Sequence, residues 1–268
     1  MSIEHEETLI TPDEIRAAIA GNQFSLCYQP KIDCETLSLK GFEALIRWND
    51  PERGVILPRE FIKVAEDADL IGRITEIVVD EAFRWYMSTS GVQSLALSIN
   101  ISAKRLSDLD FADWLKKKCL AAGIRPDALT LEISETAVLG ERLHALDMFT
   151  RLQTKGFRVA IDGFGIGNST LAVLSRLPFT ELKIEKSFAM TAAQSDQSKT
   201  FLKSTIHQAH AINLKVVVEG VEDRETLEFL RHVGCDYIHG YLVAQPMTGD
   251  QTREWILNRR KMTRHILV

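Results

Sequence analysis

Oxygen-bearing side chains occur at the ends of several short apolar segments of this sequence. Four of them share this setting: Glu43, Asn100, Glu132 and Asp162. Carboxylate and amide oxygens are the ligands that hard divalent cations such as Mg²⁺ and Mn²⁺ prefer, whereas Zn²⁺ more often recruits histidine or cysteine. These residues are therefore candidate ligands of Mg²⁺ or Mn²⁺, provided that the fold brings their separate segments together.

Two basic side chains lie in segments of the same kind. The guanidinium of Arg47 is a planar fork suited to a phosphate group, and the ammonium of Lys183 can orient a nucleophilic water or neutralise a developing oxyanion. Glu219 ends a further apolar segment. An unpaired buried charge costs several kcal/mol, and the presence of several inward charges therefore favours a functional site. The alternative is that these residues form structural salt bridges. This interpretation could explain any one of them, but it explains the whole set less well.

The elements that must position these side chains follow from an alternation of two patterns. Short runs rich in Val, Ile and Leu predict eight strands: Phe24–Gln29, Leu39–Trp48, Leu95–Ser102, Leu129–Ser134, Phe157–Asp162, Glu181–Glu185, Lys215–Glu219 and Asp236–Tyr241. Segments with helical periodicity, such as Ile74–Met87 and Thr200–Ile212, separate them. Strand–helix alternation predicts an α/β fold with a mainly parallel sheet.

Eight such units in about 250 residues favour a closed, TIM-like (β/α)8 barrel. An open doubly wound sheet is the alternative, and the lack of a Gly-x-Gly-x-x-Gly motif after the first strand weakens it. No linker interrupts the chain, so we expect a single barrel domain over residues 1–268 with its core at about 12–255. In a barrel, chemistry gathers at the carboxyl ends of the strands, whose side chains alternate between interior and helix layer. Glu132 is then expected to face inward, and its neighbours Leu131 and Ile133 to face the helices.

The charge balance limits the kinds of partner. A net charge of −5 disfavours a nucleic-acid polymer or an acidic membrane surface. It permits a small phosphate ligand, because a bound metal supplies positive charge locally. The chain shows no signal peptide, no apolar run of the roughly 18 residues that a membrane span needs, and no Cys-x-x-Cys pair. We therefore expect a cytoplasmic protein with reduced thiols.

An ordered series of motifs is similar to one known family. The motifs are Tyr28-Gln29-Pro30, Glu43-Ala44-Leu45-Ile46-Arg47-Trp48, Ser98-Ile99-Asn100, Leu131-Glu132-Ile133-Ser134-Glu135, Ile161-Asp162-Gly163-Phe164-Gly165, Leu182-Lys183-Ile184, Val218-Glu219-Gly220-Val221-Glu222 and Gly240-Tyr241 with Pro246. Over roughly residues 12 to 255 the chain resembles the EAL domain family of cyclic di-GMP phosphodiesterases. A lone Glu-Ala-Leu carries no information, whereas the whole succession is highly specific.

The resemblance implies a fold, a reaction and a set of roles. It implies a barrel with one antiparallel strand, a possible homodimer, and hydrolysis of cyclic di-GMP to linear pGpG. The implied metal ligands are Glu43, Asn100, Glu132 and Asp162. Lys183 and Glu219 would flank the attacking water and the metal-bound water network, and Glu135 would steady the loop after Asp162. The implied nucleotide contacts are Gln29, Arg47, Glu222 and Pro246.

The chain departs from the family pattern beside the metal ligands. The family has two successive aspartates where this chain has Asp162-Gly163, and the second aspartate is a ligand of a second metal. Glycine has no side chain, so two-metal catalysis is in question, and the alternative function is a catalytically weak or inactive cyclic di-GMP receptor. His239 stands where the family usually has glutamine; a hydrogen bond to a neighbouring carboxylate is its expected role, and metal ligation is the other.

Overall fold

The computed structural model describes residues 10–140, 142–167, 171–174 and 177–266. The two ends of the domain expected over 1–268 lie outside the described residues. The strands are β1 (Phe24–Asp33), β2 (Leu39–Asp50), β3 (Gly54–Ile56), β4 (Ala96–Asn100), β5 (Leu129–Ser134), β6 (Arg158–Phe164), β7 (Glu181–Ile184), β8 (Lys215–Val218), β9 (Tyr237–Ile238) and β10 (Met247–Thr248).

Helices lie between and after these strands. They are α1 (Pro12–Ala20), α2 (Pro58–Asp67), α3 (Ile71–Ser88), α4 (Phe111–Ala122), α5 (Glu135–Gly140), α6 (Arg142–Thr154), α7 (Leu171–Leu174), α8 (Lys186–Ala192), α9 (Asp196–Ala211), α10 (Arg224–His232) and α11 (Gly249–Ile266). Short 3-10 turns occupy Ala103–Ser107 and Pro126–Ala128. Within the described ranges, no helix is both long enough and apolar enough to cross a membrane.

The strands close into a barrel in which β1 runs against its neighbours. Seven strands follow one another in parallel register in the order β2, β4, β5, β6, β7, β8 and β9. Strand β1 closes the ring by antiparallel pairing with β2, where Gln29 faces Glu43, and with β9, where Ile32 faces Ile238. The predicted barrel and its single reversed strand are both confirmed for the part of the chain described.

The hydrophobic core lies between the strands and the helix layer. Leu97, Ile99, Leu131 and Ile133 are fully or almost fully buried there. The alternate positions of the same strands point into the barrel, where polar side chains accumulate. The buried polar residues of the interior include Lys31, Glu43, Ser98, Thr130, Glu132, Glu181, Lys183 and His239. The interior of the barrel is thus a polar column surrounded by an apolar shell.

Helix boundaries follow local chemistry. Thr11 caps α1 through a reciprocal capping box, in which its backbone N–H donates to Glu14 (2.7 Å) and its Oγ1 accepts from the Glu14 N–H (3.3 Å). Gly123 ends α4 in the left-handed region, with φ of 70°. Defined helix ends fix the position of the following strand along the barrel axis, and the side chains at the strand ends meet at one rim.

Candidate active site

The ammonium of Lys183 lies at the centre of a ring of carboxylates at the carboxyl end of the barrel. Lys183 is on β7 and its side chain is 1% exposed. Its Nζ lies 2.5 Å from Glu132 Oε2, 2.9 Å from Glu219 Oε1, 3.0 Å from Glu43 Oε2 and 3.3 Å from Asp162 Oδ1. These carboxylates come from β5, the residue after β8, β2 and β6. Five separate segments therefore converge on one point.

Asn100 completes the set of candidate metal ligands. It is the last residue of β4 and lies opposite Glu132 in the parallel register. Its Nδ2 donates to Glu43 Oε1 at 2.8 Å. That bond fixes the amide so that its oxygen remains available to another partner. The four sequence-predicted ligands, Lys183 and Glu219 are thus brought together at one rim.

The chemistry of this cluster fits a divalent cation. Four carboxylates share one ammonium, which leaves an excess of negative charge in a largely buried setting. Oδ1 of Asp162 is buried and accepts no hydrogen bond, although it lies within ion-pair distance of Lys183. Among the described residues, no three acidic, histidine or cysteine side chains surround a common metal position. In this arrangement the Lys183 ammonium supplies the counter-charge to the carboxylates.

The carboxylates differ in their affinity for protons. Burial alone would raise the pKa of Glu43, but Lys183, His239 and the Asn100 hydrogen bond outweigh it and lower the pKa to about 2. Burial and the neighbouring Glu43 raise the pKa of Glu132. Burial opposes the charged form of Lys183, yet the surrounding carboxylates raise its pKa well above the usual range. Lys183 therefore keeps its positive charge beside carboxylates of unequal strength.

Glu219 of this cluster and the neighbouring His239 also have shifted pKa values. Burial raises the pKa of Glu219 to about 7, against the opposing effect of Lys183. Burial lowers the pKa of His239 to about 3, although Glu43 favours its charged form. His239 follows β9, is 4% exposed, and its backbone N–H donates to Val218 at 2.9 Å. The His239 imidazole is therefore buried near Glu43, and it is neutral at physiological pH.

Glu135 holds the loop that follows β6. It is buried at the start of α5, and its Oε2 accepts from the backbone N–H groups of Gly165 (3.1 Å) and Gly167 (3.3 Å). A Cβ added at Gly167 would lie 2.5 Å from Oε1 of Glu135, so a larger residue here would displace the Glu135 carboxylate. Gly163 has φ of +73° and has no atom within 4 Å of the position that a Cβ would take. The loop is thus anchored at one side and open at the other.

The residues expected to contact a nucleotide lie around the same rim. Gln29 on β1 donates from Nε2 to the Ala244 carbonyl at 3.2 Å, and Arg47 on β2 donates from Nη1 to the Ile46 carbonyl at 2.8 Å. Glu222 is exposed in the loop after β8, and Pro246 is half-buried immediately before β10. Because β10 pairs with β1 at Tyr28, Pro246 lies close to the strand that carries Gln29. The four side chains surround the mouth of the barrel.

Sequence reasoning missed the buried pair formed by Lys31 and Glu181. Lys31 Nζ donates to Glu181 Oε2 at 2.5 Å, deeper in the barrel than the carboxylate cluster. A signal was present: Lys31 has the same strand phase as Gln29, and Glu181 has the same phase as Lys183. The predicted first strand ended at Gln29, which removed Lys31 from consideration.

Comparison with known proteins gives one consistent result. The EAL domain model matches residues 13–246. The bifunctional diguanylate cyclase/cyclic di-GMP phosphodiesterase MucR of Pseudomonas aeruginosa is 32% identical over 255 residues, which cover 94% of this chain and 37% of MucR. The chain spans 30–40% of the length of the curated relatives that it matches.

Solved structures agree with the sequence relatives. A structure described as the MucR phosphodiesterase in complex with c-di-GMP superposes with a TM-score of 0.84 at 33% identity, covering 90% of this chain and 98% of that one. The FimX EAL domain of Pseudomonas aeruginosa bound to c-di-GMP gives 0.80 at 27% identity, covering 87% and 94%. Both likenesses extend over most of this chain.

Proposed function

The chain belongs to the EAL domain family, and on that basis we propose that it is a Mg²⁺- or Mn²⁺-dependent phosphodiesterase that hydrolyses cyclic di-GMP to linear pGpG. The observation that carries this proposal is the convergence of Glu43, Glu132, Asp162 and Glu219 on Lys183. Several relatives are named for this reaction, and several solved relatives are described as holding c-di-GMP. The site offers both a cation-binding cluster and a rim that can take up a nucleotide.

The proposed roles follow the placement of the side chains. Glu43, Asn100, Glu132 and Asp162 would hold the divalent cation, which when bound polarises the phosphate and increases the acidity of water. Arg47 binds a non-bridging phosphate oxygen through its guanidinium. Lys183 stabilises the negative charge that develops when a water attacks phosphorus. Glu219, with its pKa raised to about 7, accepts the proton of that water.

The products follow from this displacement. A new bond forms between the water oxygen and phosphorus, and the bond from phosphorus to one ribose O3′ breaks. The O3′ leaves with its electron pair and takes up a proton, which gives a free 3′-hydroxyl at one end and a 5′-phosphate at the other.

Glu135 contributes indirectly, because it fixes the Gly165–Gly167 segment beside Asp162.

A receptor that binds cyclic di-GMP without useful turnover is the second candidate. The observation that favours it is Gly163, which offers no side chain beside Asp162 where a further metal ligand would be expected. Loss of a catalytic metal ligand reduces transition-state stabilisation by several kcal/mol. A receptor would use the same rim residues, namely Gln29, Arg47, Glu222 and Pro246.

One experiment separates the two candidates. The purified chain is incubated with cyclic di-GMP and Mg²⁺ or Mn²⁺, the products are resolved by chromatography, and ligand binding is measured calorimetrically. Formation of pGpG that EDTA abolishes supports the phosphodiesterase. Tight binding without product supports the receptor, and absence of both binding and product would contradict both.

Assembly and location are part of the same proposal. Following the resemblance, we propose a homodimer that works in the cytoplasm with cyclic di-GMP, and not a nucleic-acid polymer or a membrane, as its partner. Light scattering on a size-exclusion column tests the dimer directly. A mass equal to a single chain at all concentrations would contradict it.

A further inference from the structure

A cavity opens at the end of the barrel opposite the carboxylate cluster. Its volume is about 190 Å³. Ala96, Arg158 and Glu181 line it, and they are the first residues of β4, β6 and β7. Asn100, Asp162 and Lys183 lie towards the other ends of the same strands. The cavity is therefore at the amino-terminal mouth of the barrel, at the opposite end of these strands from the candidate active site.

The lining of this cavity carries excess positive charge. Four cations and two carboxylates line it: Lys31, Lys40, Arg125, Arg158, Asp127 and Glu181. Arg125 makes two hydrogen bonds to Asp127, at 3.0 and 2.9 Å, so that pair is neutral. Lys40 lies 3.3 Å from Asp33, a carboxylate outside the lining, and Arg158 is the lining cation that has no ion-pair partner among the residues that the structure describes. A basic cavity is unexpected in a chain with a net charge of −5.

The floor of the cavity contains a buried ammonium with unused donors. Lys31 is 2% exposed, and its Nζ donates to Glu181 Oε2 and lies 5.5 Å from the centroid of the Tyr237 ring. An ammonium has three N–H donors, and within the described parts of the chain Glu181 is the acceptor of one of them. Buried donors are nearly always satisfied, by protein, water or ligand. The Lys31 ammonium therefore has donor capacity beyond its bond to Glu181, and it lines the cavity.

We propose that this cavity binds a small oxyanion of the phosphate class, with Lys31 at its floor and Arg158 at its mouth. A guanidinium fork and an ammonium together match the oxygens of a phosphate group. A water occupies about 30 Å³, so the cavity has room for a phosphate group and a small attached fragment. The phosphate can be inorganic phosphate or the phosphate of a small metabolite, which present the same oxygens.

The test is a calorimetric titration of the whole chain with inorganic phosphate. EDTA is present throughout, so that no divalent cation can bridge phosphate to the carboxylate cluster. Arg158→Gln removes the unpaired guanidinium at an exposed position and should weaken phosphate binding by roughly tenfold. Lys40→Gln, at the other side of the mouth, should weaken it as well. The matched control is Arg16→Gln on α1. It makes the same change of charge at a position that does not line the cavity, and it should leave the phosphate affinity unchanged.

Circular dichroism checks that each variant is folded. A parallel titration with ribose 5-phosphate distinguishes the sources: tighter binding than inorganic phosphate indicates a phosphate carried by a metabolite, and equal or weaker binding indicates the free anion. Lack of saturable phosphate binding to the wild-type chain would overturn the proposal. So would equal affinity of the wild type, Arg158→Gln and Lys40→Gln. Neither result bears on turnover of cyclic di-GMP, which is measured at the other rim.

Discussion

The Lys183 ammonium lies 2.5 Å from a carboxylate oxygen of Glu132, a residue 51 positions earlier in the chain. The two side chains come from β7 and β5, which are separated in the barrel by β6. They meet because both point inward and because the intervening strand contributes the small Ala160 opposite Glu132. The contact joins a cation that keeps its charge to the carboxylate with the raised pKa. The candidate site is arranged around this pair.

Lys183→Met should lower the stability of the metal-free protein and increase its stabilisation by Mn²⁺. Removing the ammonium leaves several buried carboxylates without a counter-ion, which costs about 3–5 kcal/mol in the absence of metal. A divalent cation can then supply the missing charge, so Mn²⁺ should raise the melting temperature of the variant more than that of the wild type. Product formation should be lost in both conditions.

The matched control is Lys63→Met, which removes an exposed lysine paired with Asp67 on the surface of α2. It should change neither stability nor metal response appreciably, because surface ion pairs contribute about 0–1 kcal/mol. Thermal melts with EDTA and with Mn²⁺ make the comparison. Equal Mn²⁺ shifts in Lys183→Met and the wild type would contradict the interpretation of the cluster.

Gly167→Ala should displace Glu135. The added Cβ would lie 2.5 Å from Oε1 and 2.7 Å from Cδ of Glu135, closer than such atoms approach. The loop after β6 then loses its anchor, and turnover should fall by roughly 10- to 100-fold, because small misplacements near reacting groups have such effects. Gly72→Ala in α3 is the control, since its Cβ would make an ordinary 3.5 Å contact. Retention of full turnover and of cyclic di-GMP affinity in Gly167→Ala would show that this anchor is dispensable.

Gly163→Asp should raise turnover with Mn²⁺ by supplying a carboxylate next to Asp162. Space is available, but φ of +73° makes any side chain less favourable there, at a stability cost of about 1–2 kcal/mol. Asn tolerates this conformation equally well and has nearly the same shape, so Gly163→Asn controls for the backbone. Rates measured by product chromatography should rise for the aspartate variant alone. Similar rates for Asp and Asn would mean that no further metal ligand was gained.

The Lys31–Glu181 pair should show strong coupling in a double-mutant cycle. Glu181→Leu alone leaves a buried ammonium without its partner and should cost about 3–5 kcal/mol of unfolding free energy. The double variant Lys31→Met, Glu181→Leu removes both charges and should recover much of that loss. Urea denaturation gives each free energy. Additive effects of the two single changes would contradict a direct interaction.

Asp236 should make stability depend on pH in the acid range. Burial would raise its pKa, but Lys215 (2.7 Å), the Val216 N–H (2.9 Å) and His210 lower it. Because the folded pKa is below the unfolded value of about 3.9, the contribution is fully present above that unfolded value. It is lost as the pH falls through the folded pKa. Urea denaturation of the wild type and Asp236→Asn should therefore differ at pH 6 and converge as the pH falls below the folded pKa of Asp236; a constant difference would contradict this interpretation.

Much of the barrel could be predicted from the sequence. Apolar runs separated by helical periodicity gave the strand order, and strand phase placed Glu132 inward between Leu131 and Ile133. The reversed direction of β1 came from family resemblance, because periodicity along a strand carries no information about the direction of the chain. The predicted strands Leu95–Ser102 and Asp236–Tyr241 are longer than β4 and β9, since their ends leave the ladder to form the rim.

The arrangement of the site was less accessible. The position of Lys183 between the carboxylates depends on the register of β5, β6 and β7, including the irregularity between Ile161 and Phe164. Tertiary pairing sets that register, and a single sequence does not encode it in any short pattern. Helix α8 was missed because Lys186–Ala192 is too short to show a periodic apolar face. The positive φ of Gly163, near the end of β6, likewise becomes visible in the folded structure.

Anomalous scattering at the manganese edge from crystals of the chain soaked in Mn²⁺ locates any bound cation. We expect a strong peak within coordination distance of oxygens from Glu43, Asn100, Glu132 and Asp162, with Lys183 adjacent to it. No peak at this rim under saturating Mn²⁺, or a peak at another part of the chain, would contradict the metal-dependent site and the function proposed from it.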